Sequence, residues 1–318
     1  MLRYIVSRLG QTVLIVLAVS VIVFVLTRVL PGGTAQAILG NRASPEAVAA
    51  FNQRNGLNLP IPLQYWHYLV GLLHGNLGYS YKLQQPVTTL VATRLPKTAF
   101  LSGVSLAIAV VIAIPLGIFQ AIRQAKLSDN VLTAGQFVIY SMPSFWLATI
   151  LILVFAVNFP IFPSEAPQSD SLGQIIADPR ALVLPVVVTT VGTVAALSRH
   201  MRSSAIENLA KEYVRTARAK GLRERTVLFR HMARNAVIPI ITLVGLSVPA
   251  LVSGSVIIET IFNYPGLGLL YSTAAGDRDY PILLAIVLLA SVATALGSLL
   301  ADVMYVVMNP QVRYKQAR

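Results

Sequence analysis

Residues 199–237 read RHMRSSAIENLAKEYVRTARAKGLRERTVLFRHMARNAV and hold ten Lys/Arg against three acids. On both sides the charge stops, because residues 181–198 and 238–258 are apolar and uncharged. Ionised side chains are expelled from hydrocarbon, so a basic segment between two such runs reads as a loop lying against one face of a bilayer. Within it, Ser203 to Leu209 and Glu212 to Lys220 are mostly Ala, Arg, Glu, Lys and Leu, all strong helix formers, and Gly221 supplies a stop. A short basic helix ending at Gly221 is expected, with Val214, Ala217 and Ala219 as small or apolar surface between Arg215, Arg218 and Lys220. Two surfaces could receive it, anionic lipid headgroups or a groove on a protein. Small residues beside Arg favour the groove, since a helix that wedges into lipid carries bulky apolar residues.

The composition agrees with a membrane setting. Hydrophobic residues make up 55% of the 318, charged residues only 12%, and the mean hydropathy is +0.69; soluble domains carry roughly 25% charged residues. Six apolar runs are predicted to span, at about 11–30, 98–122, 131–157, 181–198, 238–258 and 281–308. Each is near or above the ~20 residues that a helix needs to cross the hydrocarbon core. The fourth is the shortest and contains Pro185. Arg3 and Arg8 followed by an apolar run, with Ala35-Gln36-Ala37 beyond, imitate a secretory signal. The run exceeds the roughly 7–15 residues of a signal core, and the segment is read as a retained anchor.

The loops set the orientation. With the amino terminus in the cytosol, seventeen basic residues face four acids on that side, whereas the outer side holds eight basic and seven acidic residues. Both termini are therefore expected inside. The formal net charge of +13 is explained by this asymmetry, and nucleic acid is not implied. Cysteine is absent, which removes disulfides and thiolate chemistry from this chain.

The segment 31–97 is expected outside. It enters through Pro31-Gly32-Gly33, starts a helix at Ser44-Pro45-Glu46, continues in an aromatic helix around Gln64-Tyr65-Trp66-His67-Tyr68-Leu69, and turns at Gly75 to Ser80. Trp66, Tyr65 and Tyr68 could bind a ligand, but rings at the edge of a membrane more often belong to the interfacial belt. His67 and His74 lie seven apart without a carboxylate or thiol near them in sequence, a poor metal pair. No enzyme motif is present: there is no Gly-Lys dipeptide for a phosphate loop, and neither H-E-x-x-H nor G-x-S-x-G occurs. Only Arg28 and Asp302 are ionisable within the expected spans. They form no proton relay; a Na⁺ site built from backbone carbonyls alone stays open, and the energy for any transport is expected most simply from a cytosolic partner on the basic loop.

Several motifs together make the chain similar to the permease subunits of ABC importers, in the dipeptide, oligopeptide and nickel branch and its B type. Arg215-Thr216-Ala217-Arg218-Ala219-Lys220-Gly221 resembles that family's EAA loop, with Arg215 and Thr216 in place of the first Glu and Ala. Further resemblance lies in Tyr213 to Leu222, Arg234-Asn235-Ala236-Val237-Ile238-Pro239, Met142-Pro143-Ser144-Phe145-Trp146 and the run from Glu259 to Gly268. Three positions depart from the pattern. Gly33-Thr34 stands for Asp-Pro, Asn76 for Asp, and Asn309-Pro310-Gln311 for Asp-Pro-Arg.

The resemblance implies an all-α, type I importer permease of the bacterial inner or plasma membrane. Its first span is 1–30, its external region 31–97, its five-helix core 98–308 with the coupling loop 199–237, and its cytosolic tail 309–318. It also implies a second homologous permease, two ATP-binding subunits that hold ATP and magnesium, and an external solute-binding protein. The permease itself would need no cofactor and catalyse nothing, and selectivity would rest mainly with the binding protein. By the same resemblance, Tyr213, Arg215, Thr216, Ala217, Arg218, Lys220, Gly221 and Leu222 would couple to the ATPase. The turn Asn263-Tyr264-Pro265-Gly266 is open to two readings, a contact for the binding protein or a plain tight turn. A short peptide is the expected cargo. A nickel chelate or other small solute is the alternative, and so, in a different class, is a scaffold that only anchors an ATPase.

Overall fold

In the computed structural model, which describes residues 2–29, 35, 39, 43–80 and 82–308, helix follows helix almost without interruption. The side chains of Arg28 and Asp302, the entry Pro31-Gly32-Gly33, the pair Gly33-Thr34 and the tail 309–318 lie outside the described residues. The chain divides into two units. The first comprises residues 1–99, 166–177 and 249–296, and the second 100–165, 178–248 and 297–318.

In the first unit, α1 (Leu2–Val29) precedes α2 (Pro45–Arg54) and α3 (Ile61–Leu73). The α2 start is the one expected: the Ser44 hydroxyl accepts the Ala47 amide at 3.2 Å and Pro45 occupies the first turn. On α3 the rings divide. Tyr65 and Tyr68 pack on Phe24 of α1, with centroids 5.4 and 5.7 Å away, and the Tyr65 hydroxyl shares a 2.7 Å hydrogen bond with Ser20. Trp66 is exposed, as an interfacial ring would be. The His74 ring bonds to the carbonyl of Val70 on its own helix.

After a turn in which Asn76 Oδ1 accepts the Gly78 amide, β1 (Tyr79–Ser80) pairs antiparallel with β2 (Gln85–Pro86). This hairpin has no expectation behind it, since two-residue strands leave no alternating pattern to read. Its anchor is distant in sequence: the buried Ser80 hydroxyl donates to Asp279.

The second expected span begins eleven residues early. Helix α4 runs Val87–Ile122; Val87, Leu90 and Val91 are buried against Leu267, Leu270, Ile282 and Ala285. Arg94 and Lys97 do not stop it, because charge opposes hydrocarbon, not helix. Lys97 is buried, with Nζ donating to the Ser169 carbonyl at 2.6 Å.

The second unit corrects the third span. Residues 131–157 were expected as one helix, but α5 (Leu127–Ser141) and α6 (Ser144–Ile152, continued as a π-helical turn to Asn158) meet at a bend of 96°. Pro143 lacks an amide hydrogen and drives Met142 into an extended conformation, ψ 127°. Past α7 (Leu172–Ile176) of the first unit, the fourth span also changes. It was read as the shortest, yet α8 (Pro179–Leu209) has 31 residues, because the basic stretch after Ser198 continues the same helix.

Next come α9 (Glu212–Ala219) and α10 (Glu224–Ser253), the latter with a π-helical turn at Val227–Met232. The chain closes through α11 (Val256–Ile261), α12 (Leu267–Asp277) and α13 (Tyr280–Met308). Among the described residues α4, α8, α10 and α13 are long and apolar enough to cross a membrane, and the bent pair α5 and α6 makes a fifth if counted as one crossing. Helix α1 holds a shorter apolar stretch, Gly10–Ile22.

Candidate coupling surface

Helix α9 lies where the sequence places a short basic helix, and it is two-faced. Val214 and Ala217, three apart and thus on one side, are buried in a cluster with Met201 and Ala205 of α8 and Val227, Met232 and Ala236 of α10. This corrects one expectation. Val214 and Ala217 face the chain's own core, and the small surface left outside on α9 is Ala219. Tyr213, Arg215, Thr216, Arg218, Lys220, Gly221 and Leu222 are exposed.

Polar contacts fix the helix at both ends. The Tyr213 hydroxyl donates to Asn208 Oδ1 at 2.6 Å, and Lys211 pairs with Glu207 at 2.8 Å. Arg215 pairs with Glu212 at 2.8 Å, and the Arg218 guanidinium grips both oxygens of Glu224 at 2.7 and 3.2 Å. These pairs are solvent-facing, screened by water and salt, and add little to stability. Their effect is to hold side chains in place. The Glu224 carboxylate raises the pKa of Arg218, which is cationic in any case.

The stop at Gly221 is a double-bonded helix end. The Gly221 amide reaches the Arg218 carbonyl at 2.9 Å, the Leu222 amide reaches the Ala217 carbonyl at 3.4 Å, and Gly221 sits at φ +74°. That is the left-handed position at which glycine carries no Cβ penalty.

In the first unit, the turn Asn263-Tyr264-Pro265-Gly266 points inward. Tyr264, Pro265 and Gly266 are buried, the Tyr264 hydroxyl donates to the Lys97 carbonyl at 2.7 Å, and Asn263 adopts φ 45°. Three of the four residues named as a contact for a binding protein are thus covered by their own chain. Asn263 alone is partly exposed, and its carbonyl accepts from Gln168.

Beneath this turn is a centre that sequence reasoning missed. Glu259 is fully buried; its carboxylate accepts the Thr98 hydroxyl at 3.0 Å and the amides of Gly268 and Leu269 at 2.7 and 3.2 Å, at the start of α12. Thr98 in turn accepts the Leu267 amide at 2.7 Å. A Cβ on Gly254 or Gly266 would overlap the carboxylate. The available signal was a lone acid ringed by glycines at 254, 266 and 268 within an apolar stretch. A second missed feature is the Asp129–Arg202 pair of the second unit, which joins residues 73 apart in the chain.

A family model described as the binding-protein-dependent transport system inner membrane component matches residues 113–314. A model for the N-terminal part of such components matches residues 1–102. The chain is 35% identical over 316 residues to the oligopeptide transport system permease protein AppB of Bacillus subtilis, covering 99% of this chain and 100% of that one. The glutathione transport system permease protein GsiC of Salmonella typhimurium is 34% identical over 315 residues, with 99% and 100% covered. For the dipeptide transport system permease protein DppB of Escherichia coli the identity is 33% over 339 residues, again with 99% and 100% covered. Apolar helices fit to cross a membrane, a basic helix anchored by its inner face, and matches that run the length of the chain lead to one conclusion: this protein belongs to the family of binding-protein-dependent transport system inner membrane components.

Proposed function

We propose that the chain is one of two homologous permeases in an ATP-driven importer of short peptides. The observation that carries this reading is α9: a short helix whose apolar face is locked into its own chain while Tyr213, Arg215, Thr216, Arg218, Lys220 and Leu222 face outward beside the Gly221 stop. A rigid basic knob suits a socket on a cytosolic partner. In this reading the partner is one of two ATP-binding subunits, which hold the ATP and magnesium. Ala217 contributes from inside by seating the helix. Closure of the ATP-binding subunits draws the docked helices together and shifts the permeases between inward-facing and outward-facing states. ATP biases that equilibrium only through unequal affinity for the two states. Relatives named for oligopeptide, dipeptide and glutathione transport support a peptide cargo. An external binding protein delivers it, and in this reading Asn263, the partly exposed residue of the 263–266 turn, is a contact for that protein.

The decisive experiment reconstitutes the chain with its second permease, two ATPase chains and its own binding protein in liposomes. Labelled di- to pentapeptides are expected to raise both ATPase rate and uptake. Stimulation by chelated Ni²⁺ and by no peptide would remove the peptide cargo. An ATPase rate indifferent to the binding protein would make the chain a scaffold.

The topology proposed is six spans with both termini cytosolic: α1, α4, the α5–α6 pair, α8, α10 and α13. Reporter fusions at Asn76 and Asp170 are expected to score outside and one at Lys220 inside. A cytosolic score at Asn76 would overturn this arrangement.

A further inference from the structure

The second unit carries a polar seam that the coupling surface does not use. Asp129, on the first turn of α5, is fully buried and receives four hydrogen bonds. Arg202 of α8 donates from Nε to Oδ1 and from Nη2 to Oδ2, both at 2.7 Å. The Ala125 amide donates to Oδ2 at 3.0 Å from the turn that joins α4 to α5, and the Thr133 hydroxyl to Oδ1 at 3.4 Å. That turn is a tight one, with Ala125 at φ 62°. One carboxylate therefore ties the end of α4, the start of α5 and the later part of α8.

Further along the same helices the seam continues. Gln136 of α5 donates to Gln120 of α4 and to Ser198 of α8, both at 2.9 Å, and Gln120 donates to Thr133 at 3.2 Å. Gln120 and Ser198 are fully buried. Ser198 stands one helical turn before Arg202, on the same face of α8. Seven residues after Arg202 the helix ends, and α9 follows at Glu212, held by the Tyr213–Asn208 and Lys211–Glu207 contacts.

We propose that Asp129 and Arg202 are a positioning pair that makes α5 travel with α8, so that a displacement of α9 reaches the bent third span. This rests on the reading of α9 as the coupling helix. The physical case is one of registry. Between helices in lipid there is no hydrophobic force opposing sliding or rotation, since the surrounding chains are as apolar as the helix faces. A two-point guanidinium–carboxylate contact, with the remaining carboxylate lone pairs also satisfied, admits one rotation and one register of α8 against α5. Lysine would keep the charge and lose the second point.

The absence of native cysteine allows a direct test. Spin labels are placed through Asn130→Cys on α5 and Ser203→Cys on α8, both exposed positions, in the assembled four-subunit complex. Pulsed EPR then compares nucleotide-free and ATP-vanadate-trapped states, a readout that needs no knowledge of the cargo. The expected result is one narrow distance, the same in both states, which splits or shifts between states when Arg202→Lys is added. Transport per ATP hydrolysed, with trialanine as probe, is expected to fall about tenfold in Arg202→Lys, within the range by which residues between two coupled sites shift an equilibrium.

A change of the label distance between states in the otherwise unchanged protein would overturn the proposal. So would Arg202→Lys with unaltered distances and an unaltered transport ratio. If Arg202→Ala or Asp129→Asn fails to assemble, the lysine variant, which keeps the charge, still decides. Failure of the α9 reading is seen separately, as an ATPase rate that the binding protein does not affect in the protein without these substitutions.

Discussion

Glu259→Ala is expected to lower the thermal stability of the first unit by ~3 to 5 kcal/mol, because a buried donor left unmatched costs about 1–3 kcal/mol. The Thr98 hydroxyl and the Gly268 and Leu269 amides all lose their acceptor together. A similar loss is expected for Gly268→Ala by another route, since the new Cβ would lie 2.9 Å from the Val256 Cα and 3.0 Å from the carboxylate. Backbone on one side and a pinned side chain on the other leave no room to yield. Scanning fluorimetry of the purified complex in nanodiscs would register either change. An alanine variant that melts with the unaltered protein would show that the carboxylate holds nothing together.

The same residue sets a pH dependence. Burial pushes the Glu259 carboxyl up to about 7 from its ordinary 4.5, while its three hydrogen-bond donors pull the opposite way. A folded-state pKa above the unfolded one means that the folded state binds the extra proton. The contribution is therefore complete below about pH 4.5 and is lost as the pH rises through about 7. Asp279, raised mainly by burial, acts with the same sign. The melting temperature is expected to fall from about pH 5 to about pH 8, and Glu259→Gln is expected to reduce that slope. A slope unchanged in the glutamine variant would assign it elsewhere.

Gly221→Val is expected to reduce uptake about tenfold or more while leaving the amount of protein in the membrane normal. A Cβ at this position meets nothing within 4 Å, so the cost is conformational and not a collision. At φ +74° an L-residue incurs about 1–2 kcal/mol, and a β-branched one sits at the upper end. The chain can relieve that strain by abandoning the Gly221–Arg218 and Leu222–Ala217 bonds. Arg218 and Lys220 would then be displaced from the outer face. Asparagine tolerates the left-handed region, so Gly221→Asn should keep most of the transport that Gly221→Val loses. Equal uptake in the valine and unaltered proteins would place coupling outside α9. Equal loss in the asparagine and valine variants would show that the side chain, not the backbone, is what the partner rejects.

Much of the local structure was legible because its causes are local. Ser44-Pro45 starts α2 through a hydroxyl three residues from the amide it caps. The run from Glu212 to Ala219 forms a helix from its own propensities, and it stops beside Gly221. The turn at residues 75–78, which leads into β1, follows from two glycines at positive φ and an Asn side chain two residues from its partner amide. The site was legible to the same depth. Position and charge of α9 could be read, but not which face looks outward, since burial of Val214 and Ala217 depends on Met201, Val227 and Met232. Pro143 was visible, yet an uncharged run does not disclose whether a proline kinks a span or divides it by 96°.

The sequence by itself determined that this is a helical membrane chain, because the absence of charge over about 20 residues is a transfer free energy summed along the chain and needs no partner. It also determined the basic helix and its glycine stop. Only the tertiary structure decided where the buried carboxylates find their partners. Glu259 meets Thr98 from 161 residues away and Asp129 meets Arg202 from 73 residues away. In sequence the two acids are ordinary loop charges; a charge removed from water must be matched by donors or an opposite charge, and folding alone brings such partners from distant segments to one place.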